Sequence, residues 1–178
     1  MSTLRKKEPN RLRKNINIYQ DNHFLYLSGG LSKEDYQISG LYLFERDSDN
    51  KYKVKEGNGT NKFQFKVSLE QLSDYVQNQE ETVLDWYVSV YIPKELVGDN
   101  FFAKKGAKIV QLSEEEYGYY FLRLGRFQDT KIDGLDFYKN DTNYLINYLT
   151  IKGNLSIAYN MEPELPTRIQ IDKAKSKK

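Results

Sequence analysis

The segment TVLDWYVSVYI, residues 82–92, constrains the fold more than any other stretch of this chain. Leu84, Trp86, Val88, Val90 and Ile92 alternate with Asp85, Tyr87, Ser89 and Tyr91. Only an extended strand, whose side chains point alternately to opposite faces, gathers such a set on one side. The spacing therefore predicts a strand with the first set buried and the second facing outward. Pro93 ends it, because a residue without an amide proton cannot continue an interior ladder. The segment KFQFKVSL follows the same rule, with Phe63, Phe65, Val67 and Leu69 on one side and Gln64, Lys66 and Ser68 on the other.

Five further runs rich in aromatic and aliphatic residues read as strands: HFLYLSG around Tyr26, GLYLFER around Leu43, YGYYFLRLGRF around Phe121, NYLINYLTI around Ile146 and NLSIAY around Ile157. Turn-forming residues separate them: Gly29-Gly30, Asp47-Ser48-Asp49-Asn50, Gly57-Asn58-Gly59, Gly98-Asp99-Asn100, Asp133-Gly134 and Gly153-Asn154. Turns at this density favour antiparallel hairpins and leave little room for the long crossovers that parallel strands need. One short helix is expected around Leu69 to Val76 and another around Ser113 to Tyr117. The fold class is all-β, an antiparallel β-sandwich of one unit or two packed units with one or two short helices.

The 178 residues suffice for one large sandwich or two small ones. Residues 1–14 carry six Lys/Arg against Glu8, and residues 168–178 carry five against Asp172, so a net charge of +2 hides an acidic body between basic ends. The expected organisation is a basic N-terminal tail over 1–14, a β-sandwich over 15–162 with a subdivision near 93–108, and a Lys-rich C-terminal tail over 163–178. Met1 and the polar Lys-rich end read as those of a natural short chain. The basic tails could touch an anionic glycan or an anionic membrane surface, although solvated ends are the simpler reading. Nucleic acid is a poor match, because the acidic body repels phosphates and the basic residues lie away from the aromatic strands. No apolar stretch follows the N-terminal basic residues, so the expected location is cytoplasmic, with the tails allowing peripheral contact at the inner membrane face.

The chain contains no cysteine, which removes disulfides, thiolate nucleophiles and thiolate metal sites. Its single histidine, His23, has no partners of the kind a zinc site or a Ser/His triad requires, and reads as a strand-end surface or packing residue. Asp47-Ser48-Asp49 resembles the metal-holding Asp-x-Asp of nucleotide-sugar transferases, but its setting between two strands makes it a turn. Many acidic pairs are available to a glycoside hydrolase and none is singled out, Glu80-Glu81 and Glu114-Glu115-Glu116 reading as solvated loop charge. Gly29-Gly30 is not a phosphate loop. No catalytic residue, metal or cofactor is assigned. Fifteen tyrosines suggest instead that outward rings stack on sugars. Tyr87 and Tyr91, on the side of their strand opposite Trp86, are the candidate ligand-binding pair, although tyrosine also suits half-buried sheets and interfaces.

The succession LYLSGGL, GLYLFERD, KFQFKVSLEQL, DWYVSVYI and YLTIKGNLSIAY resembles the immunoglobulin-like accessory domains of Gram-positive teichoic acid and capsule glycosyltransferases and CDP-glycerol glycerophosphotransferases. Two pieces carry most of the likeness: Phe63-x-Phe65 leading through Leu69 and Leu72 to Asp85-Trp86-Tyr87, and Thr150-x-x-Gly153-Asn154-Leu155-Ser156-Ile157. It extends over about Ile16 to Tyr159. The resemblance implies an immunoglobulin-like sandwich that is not itself catalytic. Such a module would act by homo-oligomerisation or by supporting a glycosyltransferase subunit in cell-surface polysaccharide synthesis. The catalytic domain found beside such modules has no counterpart in this sequence, and no catalytic residue carries over. Two alternatives stand beside this expectation: a glycan-binding β-sandwich module, and a small hydrolase acting on carbohydrate.

Overall fold

The computed structural model describes residues 13–31, 34, 36–91, 119–124 and 131–163. Eleven strands and one short helix are formed among them: β1 (Arg13–Gln20), β2 (Phe24–Leu31), β3 (Gln37–Glu45), β4 (Lys51–Glu56), β5 (Lys62–Ser68), α1 (Leu69–Ser73), β6 (Thr82–Tyr91), β7 (Tyr119–Arg123), β8 (Lys131–Asp133), β9 (Phe137–Lys139), β10 (Tyr144–Leu149) and β11 (Leu155–Tyr159). They build two sheets, one ordered β5-β2-β1-β8 and the other β4-β3-β6-β11-β10-β9, with β7 also paired to β6. The fold is an all-β sandwich. The expected subdivision near 93–108, the helix around Ser113 to Tyr117 and the turn at Gly98-Asp99-Asn100 lie outside the described residues.

The alternation that defines β5 is realised from Lys62 to Val67: Phe63, Phe65 and Val67 are buried while Lys62, Gln64 and Lys66 are exposed, and Leu69, expected to continue the inward set, begins α1. From the facing sheet come Leu41, Leu43, Leu84, Trp86, Val88 and Ile157, and all belong to one hydrophobic cluster with the β5 residues and with Ile16, Ile18, Leu25 and Leu27. Leu69 and Leu72 of α1 close one end of it. The Ser68 hydroxyl starts this helix by accepting from the Gln71 amide at 3.2 Å. Its last turn is tied to the second sheet, where the Tyr159 hydroxyl donates to the Leu72 carbonyl at 2.6 Å and the Asn143 side-chain amide to the Ser73 carbonyl at 2.7 Å.

Three expectations are corrected. Gly29-Gly30 is not a turn but the end of β2, paired with Phe63 and Lys62. The sandwich is not wholly antiparallel, since β1 pairs with β8 in parallel from Asn17 to Tyr19. β6 is buried on both faces rather than one, because Asp85, Tyr87 and Ser89 are as enclosed as Trp86 and Val88. The short strands β4, β8 and β9, and β1 in a segment that also holds the basic residues Arg13 and Lys14, escaped the hydropathy pattern.

Asp47-Ser48-Asp49-Asn50 forms the β3–β4 turn. The Asn50 amide donates to the Ser48 hydroxyl at 3.1 Å, and Glu45 N–H donates to the Asn50 carbonyl at 2.9 Å. At Gly134, φ is +78° and a methyl group would run into the Gln20 carbonyl oxygen. Gly134→Ala therefore combines a left-handed backbone with a clash against main chain, and is expected to cost about 2 kcal/mol in a thermal or urea unfolding curve.

Candidate functional site

Of the two predicted site residues, Tyr87 is enclosed and Tyr91 is half-buried at the end of β6. Tyr87 is 2% exposed. Its ring lies edge-on to Phe44 at 4.7 Å, and the Arg123 guanidinium sits 5.5 Å from its centroid. The expectation that it faces outward is corrected, since a ring held this way presents no face to a sugar. The reason is the second neighbour of β6: Phe44 on β3 and Phe121 on β7 flank Tyr87 on the side of the sheet where it was expected to stand free.

The rings that do face outward lie on the first sheet. Ile16 and Ile18 of β1 and Leu25 and Leu27 of β2 turn inward, which leaves Asn17, Tyr19, Phe24, Tyr26 and Ser28 on the opposite face. Register then sets them in rows, because directly paired residues project to the same side. Asp133, Tyr19, Tyr26 and Lys66 form one row across β8, β1, β2 and β5, and Lys131, Asn17, Ser28 and Gln64 form the next.

The aromatic row is ordered by its own contacts. Tyr19 and Tyr26 stack at 5.4 Å with 30° between their planes, and Tyr19 is 45% exposed. Phe24 continues the strip 6.2 Å from Tyr26, with the Lys66 ammonium 4.1 Å from its centroid. Asp21 anchors the end. Its carboxylate accepts from the His23 and Phe24 amides at 2.8 and 2.7 Å and from the Tyr26 hydroxyl at 3.1 Å. Those two backbone bonds hold the Asp21 carboxyl below its ordinary pKa. Partial desolvation, aided by the Asp21 carboxylate, pushes the Tyr26 phenol up.

Ser28 and Gln64, in the polar row, also line a groove of about 740 Å³ with Gly29, Gly30, Asn58, Asn61 and Glu34. Its floor is fixed by Asn61, whose side-chain amide donates to the Leu31 carbonyl at 3.3 Å while its own carbonyl accepts from the Leu31 amide at 2.7 Å. Amide and hydroxyl groups thus extend directly from the aromatic strip. Among the residues whose side chains are described, Lys62, Lys66 and Lys131 are balanced in number by Asp21, Asp133 and Glu34. Flat rings beside neutral hydrogen-bonding groups suit a ligand with apolar faces and hydroxyl edges, which is the make-up of a sugar.

His23 is exposed at the start of β2, its carbonyl accepting from the Leu69 amide at 2.9 Å. Asp47, Asp49, Glu80 and Glu81 are also exposed, and Glu114 to Glu116 lie outside the described residues. Among the described residues no three His, Cys, Asp or Glu side chains gather as a metal site, and no helix is long and apolar enough to cross a membrane. The stacking residues Tyr19, Phe24 and Tyr26 were missed, although the alternation in NINIYQ and FLYLS marks them as outward. What could not be read was that Tyr19 and Tyr26 stand opposite one another. Comparison with protein-family models, with curated proteins and with solved structures returns no match for this chain.

Proposed function

We propose that this protein is a non-catalytic glycan-binding β-sandwich module that supports a glycosyltransferase system of cell-surface polysaccharide synthesis by holding its glycan. The observation that carries the binding role is the row of exposed Tyr19 and half-buried Tyr26, set in register beside the polar row and leading into the groove. Sugar rings stack on the aromatic strip, and hydroxyls reach Ser28, Gln64 and the groove amides. The biosynthetic setting is supported by the resemblance to accessory domains of teichoic acid and capsule transferases. The charge balance of the face favours a neutral stretch of glycan over a polyanion.

Affinity electrophoresis against a panel of neutral and acidic polysaccharides tests this reading. Tyr19→Ala and Tyr26→Ala are each expected to weaken retardation by about five- to tenfold, the size of one aromatic contact. Binding should persist at about 1 M salt, where the Debye length is only roughly 3 Å. Unchanged retardation of the double variant would refute the site. Turnover of a nucleotide-activated sugar by the purified chain would refute the non-catalytic role.

A further inference from the structure

β6 changes partner along one of its edges. Residues 82–85 pair with β11, and residues 87–91 pair with β7. The fork between β7 and β11 opens at Trp86, whose carbonyl accepts from the Leu124 amide at 3.1 Å. Arg123 fills it. Its Nη1 donates to the Trp86 carbonyl at 3.3 Å and to the Leu155 carbonyl, and its Nη2 donates to Asp85 and Ser156, both at 2.9 Å.

A second guanidinium arrives from the end of β3. Arg46 donates through Nη2 to Asp85 at 2.7 Å and to the Ser156 hydroxyl at 3.1 Å, and through Nε to Asp85 at 3.4 Å. One carboxylate therefore faces two guanidiniums, and one positive charge is left over. Arg123 is enclosed by its bonds, whereas the Arg46 side chain is 42% exposed. Both border a cleft of about 390 Å³ that is also lined by the Asp85 carboxylate they neutralise and by Tyr148, Lys152 and Asn154. Lys152 adds a further charge from the tip of a turn closed by Gly153 N–H donating to the Thr150 carbonyl at 2.7 Å. Asn154 contributes a buried side-chain oxygen with no hydrogen-bond partner among the described residues.

We propose that this cleft is a second ligand site, for a phosphate group carried on a hydroxylated molecule of the sugar-phosphate class. The phosphate meets the surplus charge of Arg46 and Lys152, and because Nε and Nη2 of Arg46 already serve Asp85 and Ser156, the donor that Arg46 offers it is Nη1. A neighbouring hydroxyl donates to the orphaned oxygen of Asn154, since a buried acceptor without a donor is costly to leave empty. The site is distinct from the aromatic face and does not depend on that face binding glycan.

Calorimetric titrations of the full chain with glucose 1-phosphate, inorganic phosphate and glucose decide the matter. Glucose 1-phosphate is expected to bind about tenfold more tightly than inorganic phosphate, with Lys152→Gln weakening it about fivefold or more. Arg46→Lys keeps a cation beside Asp85, so the fold survives, yet it is expected to lose most of the affinity because one ammonium cannot hold Asp85 and Ser156 and still reach across to the phosphate as the guanidinium does. Tyr19→Ala with Tyr26→Ala should leave this titration unchanged, which separates a failure here from a failure of the glycan face. No heat from glucose 1-phosphate up to about 10 mM, or equal affinity in wild type, Lys152→Gln and Arg46→Lys, overturns the site. Equal affinity for inorganic phosphate and glucose 1-phosphate overturns the role of Asn154.

Discussion

Asp85→Ala is expected to lower the unfolding free energy by about 3 to 5 kcal/mol, a large share of the roughly 5 to 15 kcal/mol of an ordinary domain. The loss comes from what remains behind. Arg123 is enclosed beside Arg46, and without the carboxylate two like charges face each other with no counter-ion. Burial already pulls the Arg123 guanidinium below its ordinary pKa, with Asp85 opposing that pull. Replacing the pair together, as Asp85→Leu with Arg123→Met, should recover only part of the loss: a buried ion pair contributes little beyond an apolar pair of similar size, but Arg123 also serves the Trp86 and Leu155 carbonyls and Arg46 keeps its charge. Urea titrations of Asp85→Leu, Arg123→Met and the double variant measure the coupling.

The same carboxylate sets an acid limit. Burial alone would push the Asp85 carboxyl up, but the Arg46 hydrogen bond, the Arg123 charge and the Ser156 hydroxyl together hold it below its ordinary value. A folded-state value depressed below the unfolded one stabilises the protein fully above the unfolded value of about 3.9 and ceases to do so as pH falls through the folded value. The urea midpoint of the wild type should therefore be level near neutrality and drop below about pH 4, with Asp21 acting in the same direction. Asp85→Asn should start lower and fall less steeply.

Trp86→Ala is expected to cost about 3 to 5 kcal/mol by removing the largest fully buried side chain of the core. Part of that cost is polar. The indole N–H donates to the Asn147 side-chain oxygen at 2.8 Å, in a place closed to water, so truncation deprives that buried acceptor of its donor. Trp86→Phe retains much of the ring volume but removes the donor, and should fall between wild type and Trp86→Ala. Adding Asn147→Leu to Trp86→Phe should regain stability if the unmet hydrogen bond is the cause. Equal stability of Trp86→Phe and the wild type would show that the bond contributes nothing.

Much of this fold was legible because strand periodicity is a local property. A side chain two residues along returns to the same face whatever the rest of the chain does, so the inward sets of β5 and β6 follow from spacing, and the existence of β2, β3, β7, β10 and β11 from strand-favouring residues between turn-formers. The β3–β4 turn was readable for a similar reason, since Asp, Ser and Asn hydrogen-bond to their own backbone within a few residues. Gly29-Gly30 misled because glycine permits a turn without requiring one, and pairing with β5 held it extended. The short strands β8 and β9 have too few residues to show a period and exist through their partners.

The candidate sites depended more heavily on contacts between distant residues. Tyr87 looked outward because alternation separates two faces but cannot say whether the second is covered, and Phe44 and Phe121 cover it. Tyr19, Tyr26 and Lys66 become one row only through the registers of β1 with β2 and β2 with β5. Asp85, Arg123 and Ser156 lie on three strands and Arg46 just past the end of a fourth, far apart in the chain, and they meet only because β6 exchanges β11 for β7 at Trp86. The sequence by itself determined an all-β chain and which side chains its longest strands turn inward, because these follow from geometry repeated every two residues. Tertiary structure alone decided which strands are neighbours, and hence which rings lie open and which charges are paired, because pairing and register are relations between segments that no single segment encodes.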